Sequence, residues 1–358
     1  MRFGLIVLLL FGLVGAQTGY AAEQEDATDW TLLDNPGLGI VRLWALPDGT
    51  AFAADWQNNL FTSTDDGDTW VQVGAPPDGW AVAPDTTDAS ITYGVANPGL
   101  YKSVDAGASW QLIRASDSPV TSFDASHLAV SPVDHNLLYL VEPLTSFEPT
   151  RIMRSVDGGM TWVKATDISH AGSPCVAQVS ILMAHPTNVE RVFSDQGCYA
   201  GRNFGTRLSQ SVDQGATWTT LFPDGQGLIP RRLIGGALAN PQRYYLSTSP
   251  FMGTSAARVY RSDDDGATWM EVLEAGDPQS TNFGGLAFNV DNPDCVFVAT
   301  GQTPNPDDTG VRMTTDGGLS WAFLGRQDIG WVNDLVRLPD GTLLGATNEG
   351  IWRYSPGP

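Results

Sequence analysis

The 358-residue chain predicts an all-β fold, a seven-bladed β-propeller of four-stranded antiparallel blades. Three observations carry that prediction. First, the pattern Ser/Thr-x-Asp-x-Gly-x-Thr/Ser-Trp occurs six times: at Ser63–Trp70, Ser103–Trp110, Ser155–Trp162, Ser211–Trp218, Ser262–Trp269 and Thr314–Trp321. Second, successive glycines of the pattern lie 40 to 56 residues apart, which leaves room for four short strands and their loops per unit. Third, apolar strand-like runs flank the copies, as in Arg258-Val259-Tyr260-Arg261, so each copy reads as a turn between antiparallel strands.

The chemistry of this repeat turn follows from its residue types. The Asp is expected to accept hydrogen bonds from backbone N–H groups one or two residues further on. The Gly two places later takes a positive φ without steric cost. The Trp, large and mostly apolar, is expected to turn inward and pack. Regularly spaced copies serve a repeat fold, whereas an active site needs one. Asp65, Asp105, Asp157, Asp213, Asp264 and Asp316 are therefore read as structural, and no metal is assigned to them.

In chain order, residues 1–22 read as a signal peptide, with Arg2 ahead of an apolar run, Phe3 to Val14, too short to span a bilayer. Export follows as an expectation, to a secreted or extracytoplasmic site without membrane insertion, leaving residues 23–358 as one propeller. Ala27 to Leu33 reads as the strand that follows a repeat turn, with Trp30 in the place of the turn's Trp. Each unit opens with an apolar strand such as Leu128-Ala129-Val130, then a turn such as Ser131-Pro132-Val133-Asp134-His135-Asn136, then a second strand, Leu137 to Val141. The third strand enters the repeat turn and the fourth leaves its Trp. His185-Pro186-Thr187-Asn188 is another such first turn, so His135 and His185 are read as structural. A seventh unit starts at Trp331 and has three strands; the N-terminal strand supplies its fourth and closes the ring, which removes an open sheet edge.

The loops between second and third strands are short in units one, two and seven (56–59, 97–99, 347–350) and long in units three to six (142–150, 194–207, 248–257, 301–309). A wall over four adjacent blades beside three low ones is expected, with the ligand against the wall. The net charge is −21, and Lys102 and Lys164 are the two lysines, which argues against nucleic acid and anionic lipid as partners. No Cys/His spacing fits a zinc site, and no cofactor is expected. Cys175 and Cys198 map to one face of unit four in an exported chain, so a disulfide bracing the wall is expected, with Cys295 a free buried thiol.

The repeat turn resembles the Asp-box, or BNR repeat, of sialidases, sortilin-type receptors, xyloglucan-cleaving glycosidases and photosystem II assembly factors. The resemblance covers nearly all of the chain after the signal peptide. It implies a propeller with six Asp-box turns, which lie on the face away from the binding site. Ligand-binding candidates then fall on the opposite face: Tyr199, Arg202 and Phe251 on the wall, and Arg42, Asp124, His127, Arg231, Arg232 and Asp334 at inner-strand starts.

The relatives' activities are less transferable than their fold. Arg42 stands where sialidases carry Arg-Ile-Pro, but Trp44 replaces the Pro, and neither a third Arg nor a Tyr–Glu nucleophile pair is evident. The xyloglucan-cleaving enzymes work with two propellers and two Asp residues, and this chain has repeats for one propeller. The assembly factors match in size, blade number and export signal but use a basic patch, for which this chain offers Arg202, Arg207, Arg231 and Arg232. The leading expectation is an exported, monomeric, noncatalytic propeller that scaffolds a protein or glycan. The alternative is a glycoside hydrolase, marked by two carboxylates about 5–10 Å apart.

Overall fold

The computed structural model describes residues 30–33, 39–57, 59–74, 79–96, 99–115, 128–142, 151–167, 169–170, 173–174, 176–179, 181–195, 197–200, 203–205, 207–222, 228–237, 239–250, 256–275, 283–300, 310–324 and 331–355. Seven four-stranded antiparallel sheets are arranged as blades, and there is no helix among these residues. Blade one shows the common plan, from inner to outer strand: Ile40–Ala45, Ala51–Asp55, Leu60–Ser63 and Val71–Val73. Blade seven takes Val332–Arg337, Leu343–Thr347 and Gly350–Tyr354 from the C-terminal end. Its outer strand is Trp30–Leu32, in register Trp30↔Tyr354, Thr31↔Arg353 and Leu32↔Trp352. The expected closure by the N-terminal strand is therefore observed. The signal peptide lies outside the described residues.

The repeat turn is built from two interlocked side chains. In the first copy, Ser63 Oγ donates to Asp65 Oδ1 (2.8 Å) and accepts from Gly67 N (2.9 Å). Asp65 also accepts from Thr69 N (2.9 Å) and Thr69 Oγ1 (2.6 Å). The other five copies repeat this geometry. The backbone donor to the carboxylate is thus four residues on, not one or two. The leading hydroxyl occupies the near amides, and this frees the carboxylate to span the whole turn. These bonds, led by the one from the Thr or Ser hydroxyl, hold Asp65, Asp105, Asp157 and Asp213 at about 2 and keep Asp264 and Asp316 below the usual carboxylate range.

Two successive residues of every copy are left-handed. The glycine is one; the residue before it is the other, with φ of 55° at Asp66, 57° at Ala106, 54° at Gln214 and 62° at Asp265. In blades two to four the N–H of that residue bonds the turn between inner and second strands, as in Gly158 N to Asn136 O (2.9 Å) and Gln214 N to Glu190 O (2.8 Å), and in blades five and six it bonds the start of the second strand. Both kinds of turn therefore lie on one face of the ring. The connections between blades and the loops from second to third strand lie on the other.

The core is divided among the blade interfaces. Among the described residues seven hydrophobic clusters occur, one between each pair of adjacent blades. The turn Trp residues pack half-buried at these interfaces, with Trp70, Trp162 and Trp218 donating Nε1 to their own turn's Gly carbonyl. Trp321 Nε1 instead reaches Val272 O of blade five (2.8 Å), and Trp30 Nε1 reaches Leu324 O of blade six (2.9 Å). Trp30 thus does in blade seven what Trp321 does in blade six. Cations add a second link between blades: Arg154 Nη1 donates to Gln214 O (3.3 Å), Arg261 Nη1 to Gly317 O (2.6 Å) and Arg353 Nη2 to Asp66 O (3.0 Å).

Candidate functional site

The face opposite the repeat turns holds the inner-strand starts and the second-to-third-strand loops. At its centre is Asp334, near the start of the blade-seven inner strand and 7% exposed. Its Oδ2 accepts from Leu43 N of blade one (3.2 Å) and its Oδ1 from Leu335 N (3.1 Å). Arg232 Nη2, from the blade-five inner strand, lies 3.5 Å from Oδ1. Burial pushes the Asp334 carboxyl up to about 6, against the opposing pull of Arg42 and the two backbone N–H groups. Arg42, Arg232 and Asp334 are therefore gathered at the centre. Arg231, the alternate residue on its strand, points elsewhere and donates Nε to Ser249 Oγ (2.7 Å).

Close backbone packing sets these positions. A Cβ on Gly284 would sit 2.0 Å from Val332 O, and one on Gly285 would sit 2.7 Å from Leu335 N. The blade-six inner strand thus lies directly against that of blade seven, beside Asp334. Three other described rim carboxylates are engaged as well, while Glu349 of the blade-seven loop is exposed. Asp55 accepts from Gln57 N, Asn59 N and Asn59 Nδ2. Glu142 pairs with Arg114 and Arg151, and Asp195 accepts from Ile181 N (2.7 Å). Among the described residues no group of His, Cys, Asp and Glu is placed to hold a metal ion.

At blade four the loop between second and third strands forms a hairpin, Gly197–Ala200 with Asn203–Gly205, and Val176–Gln178 pairs with it to make a separate three-stranded sheet. The blade-four inner strand is Leu182–Ala184, so the strand directly after Cys175 joins this hairpin and not the blade. The backbone places Tyr199 opposite Val176 and Phe204, and Cys198 opposite Ala177. Arg202, Phe251, Asp124, His127 and Cys175 lie outside the described residues, and so does the Cys175–Cys198 pairing. Cys295 is free and half-buried, and its burial raises its pKa.

Two residues on this face escaped the sequence reading. Trp56, in the short blade-one loop, is 68% exposed, and Trp331, just before the blade-seven inner strand, is 44% exposed. Both stretches were used to place units and loops, and nothing in the residue order distinguishes an exposed Trp from the twelve in the chain.

The fold and this face define the class: an all-β, seven-bladed propeller with a charged channel mouth. The sequence matches no protein-family model. It is similar to xyloglucanase Xgh74A of Acetivibrio thermocellus, 25% identical over 276 residues, which are 67% of this chain and 32% of that protein. It is also similar to an oligoxyloglucan-reducing end-specific xyloglucanase of Emericella nidulans, 27% identical over 189 residues, 50% of this chain and 22% of that one. The chain thus spans about a third or less of the length of these curated relatives. Among solved structures, the GH74 xyloglucanase of Xanthomonas campestris superposes with a TM-score of 0.65 at 19% identity, over 90% of this chain and 53% of that one. YCF48 of Cyanidioschyzon merolae superposes with a TM-score of 0.63 at 12% identity, over 92% and 99%. YCF48 bound to D1 peptide gives 0.60 at 16% identity, over 93% and 99%. At these identities the structural likeness establishes the propeller.

Proposed function

We propose that this protein is an extracytoplasmic propeller that binds a glycan without cleaving it. The observation that supports this most directly is the state of four carboxylates among the described residues of the rim. Asp55, Glu142, Asp195 and Asp334 each accept hydrogen bonds or ion pairs within the fold. A glycosidase needs two carboxylates on either side of one bond, and these four are held on separate blades. The glycan part of the reading rests on the xyloglucanases, whose names give a polysaccharide substrate. The net charge of −21 argues against nucleic acid and anionic membrane as partners.

One observation favours hydrolysis as the second reading. Asp334, pushed up to about 6 by burial, has the kind of pKa a general acid uses. One experiment separates the two. Residues 23–358 are incubated with xyloglucan, mixed-linkage β-glucan and mannan, with binding read by affinity electrophoresis and cleavage by new reducing ends. Retardation without cleavage is expected. Reducing ends that vanish in Asp334→Asn establish the hydrolase instead, and neither retardation nor new reducing ends with any glycan refutes both readings.

A further inference from the structure

The two exposed tryptophans stand on the low side of the ring, on adjoining blades. Trp56 follows the second strand of blade one, and Trp331 precedes the inner strand of blade seven. Their supports are tied together. Trp56 N donates to Gly39 O (3.1 Å), and Gly39 N donates to Asn348 O of blade seven (2.8 Å). Asn333, two residues after Trp331, donates Nδ2 to Ile40 O (2.9 Å) and to Asn348 Oδ1 (3.2 Å).

The Trp56 ring packs against Gly39 on one side. A Cβ on Gly39 would sit 2.3 Å from Trp56 Cδ1 and 3.0 Å from Nε1, so the indole rests on the bare backbone of a residue with φ of +79°. An indole held this way by one part and 68% open elsewhere loses little further freedom on meeting a ligand. Side-chain amides stand on the same loops: Gln57 and Asn59 on blade one, Asn333 and Asn348 on blade seven, with Asn59 and Asn333 also donating within the fold. Asp55, the nearby carboxylate of blade one, is consumed by Gln57 and Asn59. Glu349 is exposed beside Asn348, and the buried Asp334 lies three residues after Trp331.

We infer that Trp56 and Trp331 form a platform for a neutral, β-linked polysaccharide chain, running across blades seven and one beside the channel mouth. This deepens the glycan-binding reading and rests on it. The C–H faces of such pyranoses lie flat and carry partial positive charge, which suits the negative face of an indole. Their ring-edge hydroxyls, donors and acceptors at once, suit side-chain amides that are the same. The overall negative charge disfavours uronic-acid and sialic-acid polymers at this face.

The test uses residues 23–358 and its variants Trp56→Ala, Trp331→Ala and the double substitution. Met160→Ala, 66% exposed in the third repeat turn on the opposite face, is the control. Retardation is measured in gels containing xyloglucan or mixed-linkage β-glucan, with melting curves to establish folding. Each single substitution is expected to weaken binding about tenfold or more, as for an exposed aromatic anchor, and the double substitution to abolish it. Met160→Ala should match the parent. Parent-like binding by folded Trp variants overturns the platform while leaving glycan binding intact. A parent that binds no glycan defeats the functional reading and the platform with it. Loss of binding to extended peptides, with glycan binding unchanged, would assign the platform to a protein partner and overturn the inference.

Discussion

Replacing Trp30 tests whether the ring is locked by its two ends. Trp30 is 3% exposed and packs in the cluster that joins blades six and seven, with Leu324, Leu335, Leu343, Trp352 and Tyr354. Its ring lies 5.2 Å from that of Tyr354, and its Nε1 bonds Leu324 O at 2.9 Å. Truncating a buried Trp to Ala costs about 3–5 kcal/mol, and stranding a buried carbonyl partner adds about 1 kcal/mol within that range's upper part. We take about 4 kcal/mol. At about 2 cal/mol/K of unfolding entropy per residue, a propeller of this size melts about 6 °C lower for that loss. Trp30→Phe keeps the packing and loses the hydrogen bond, so a drop of about 1–2 °C is expected. Differential scanning calorimetry on residues 23–358 measures both. The reasoning requires the whole transition to move. An unchanged main transition, with or without a small early one, would refute it, because the end strand would then be an ornament on an already closed ring.

Acid unfolding is the second prediction. The repeat-turn carboxylates titrate below their unfolded value, so their stabilisation is present above about pH 4 and is lost as pH falls toward 2. Asp157→Asn should be less stable than the parent at neutral pH and lose less across that window, read from urea midpoints at several pH values. Third, His135 Nδ1 joins blade three to the fully buried Asp85 of blade two at 2.7 Å, and this bond raises the His135 pKa. Its contribution is full below about pH 6.5 and disappears as pH rises through the raised value, so His135→Ala should flatten the loss of stability between pH 6 and pH 9. Fourth, Arg353 links blade seven to the blade-one turn through Asp66 O and an ion pair with Asp68. Arg353→Ala should cost about 1 kcal/mol, seen as a lower Tm, and Arg353→Lys should recover part of it.

The ring was legible because it is written six times. A turn that recurs every 40 to 56 residues leaves few folds open, and the missing seventh copy pointed to Trp30 by its spacing from the strand around it. The binding face was not legible to the same degree, because each blade builds it from a different loop. Arg42, Arg232 and Asp334 could be placed there by position on their strands. That the carboxylate is buried, held by Leu43 N, and neighboured by a guanidinium from two blades away depends on how blades six and seven pack at Gly284 and Gly285. Trp56 was hidden for a related reason. Whether a loop Trp buries itself or stands open is decided by what lies beneath it, and here that is Gly39, seventeen residues away in the chain. The three-residue strand Val176–Gln178 joins the blade-four hairpin and not the blade itself, and so short a run does not show in sequence which sheet it joins.

The links between blades show how the repeat turn serves two units at once. The left-handed residue before the Gly turns its carbonyl away from its own hairpin, and the carbonyl needs a donor from outside. Arg154, Arg261 and Arg353 supply one from the preceding blade, each from the position directly before the place where the turn's hydroxyl residue stands. Lys102 occupies that position in blade two, and its Nζ lies 3.4 Å from where a Cβ of Gly158 would be. Blade six carries Met313 there, and the blade that follows it, the seventh, has no repeat turn to serve. In blade four the position is Gln210, and Arg191 reaches the next turn in its stead, through Asp265 at 2.5 Å. Blade one carries Thr62 there although blade two has a repeat turn, so the cation stands at this position in four of the six blades that precede one. A substitution in one turn accordingly disturbs the interface to the blade before it, and the seven blades gain a reason to unfold together that their separate hydrophobic clusters alone do not provide.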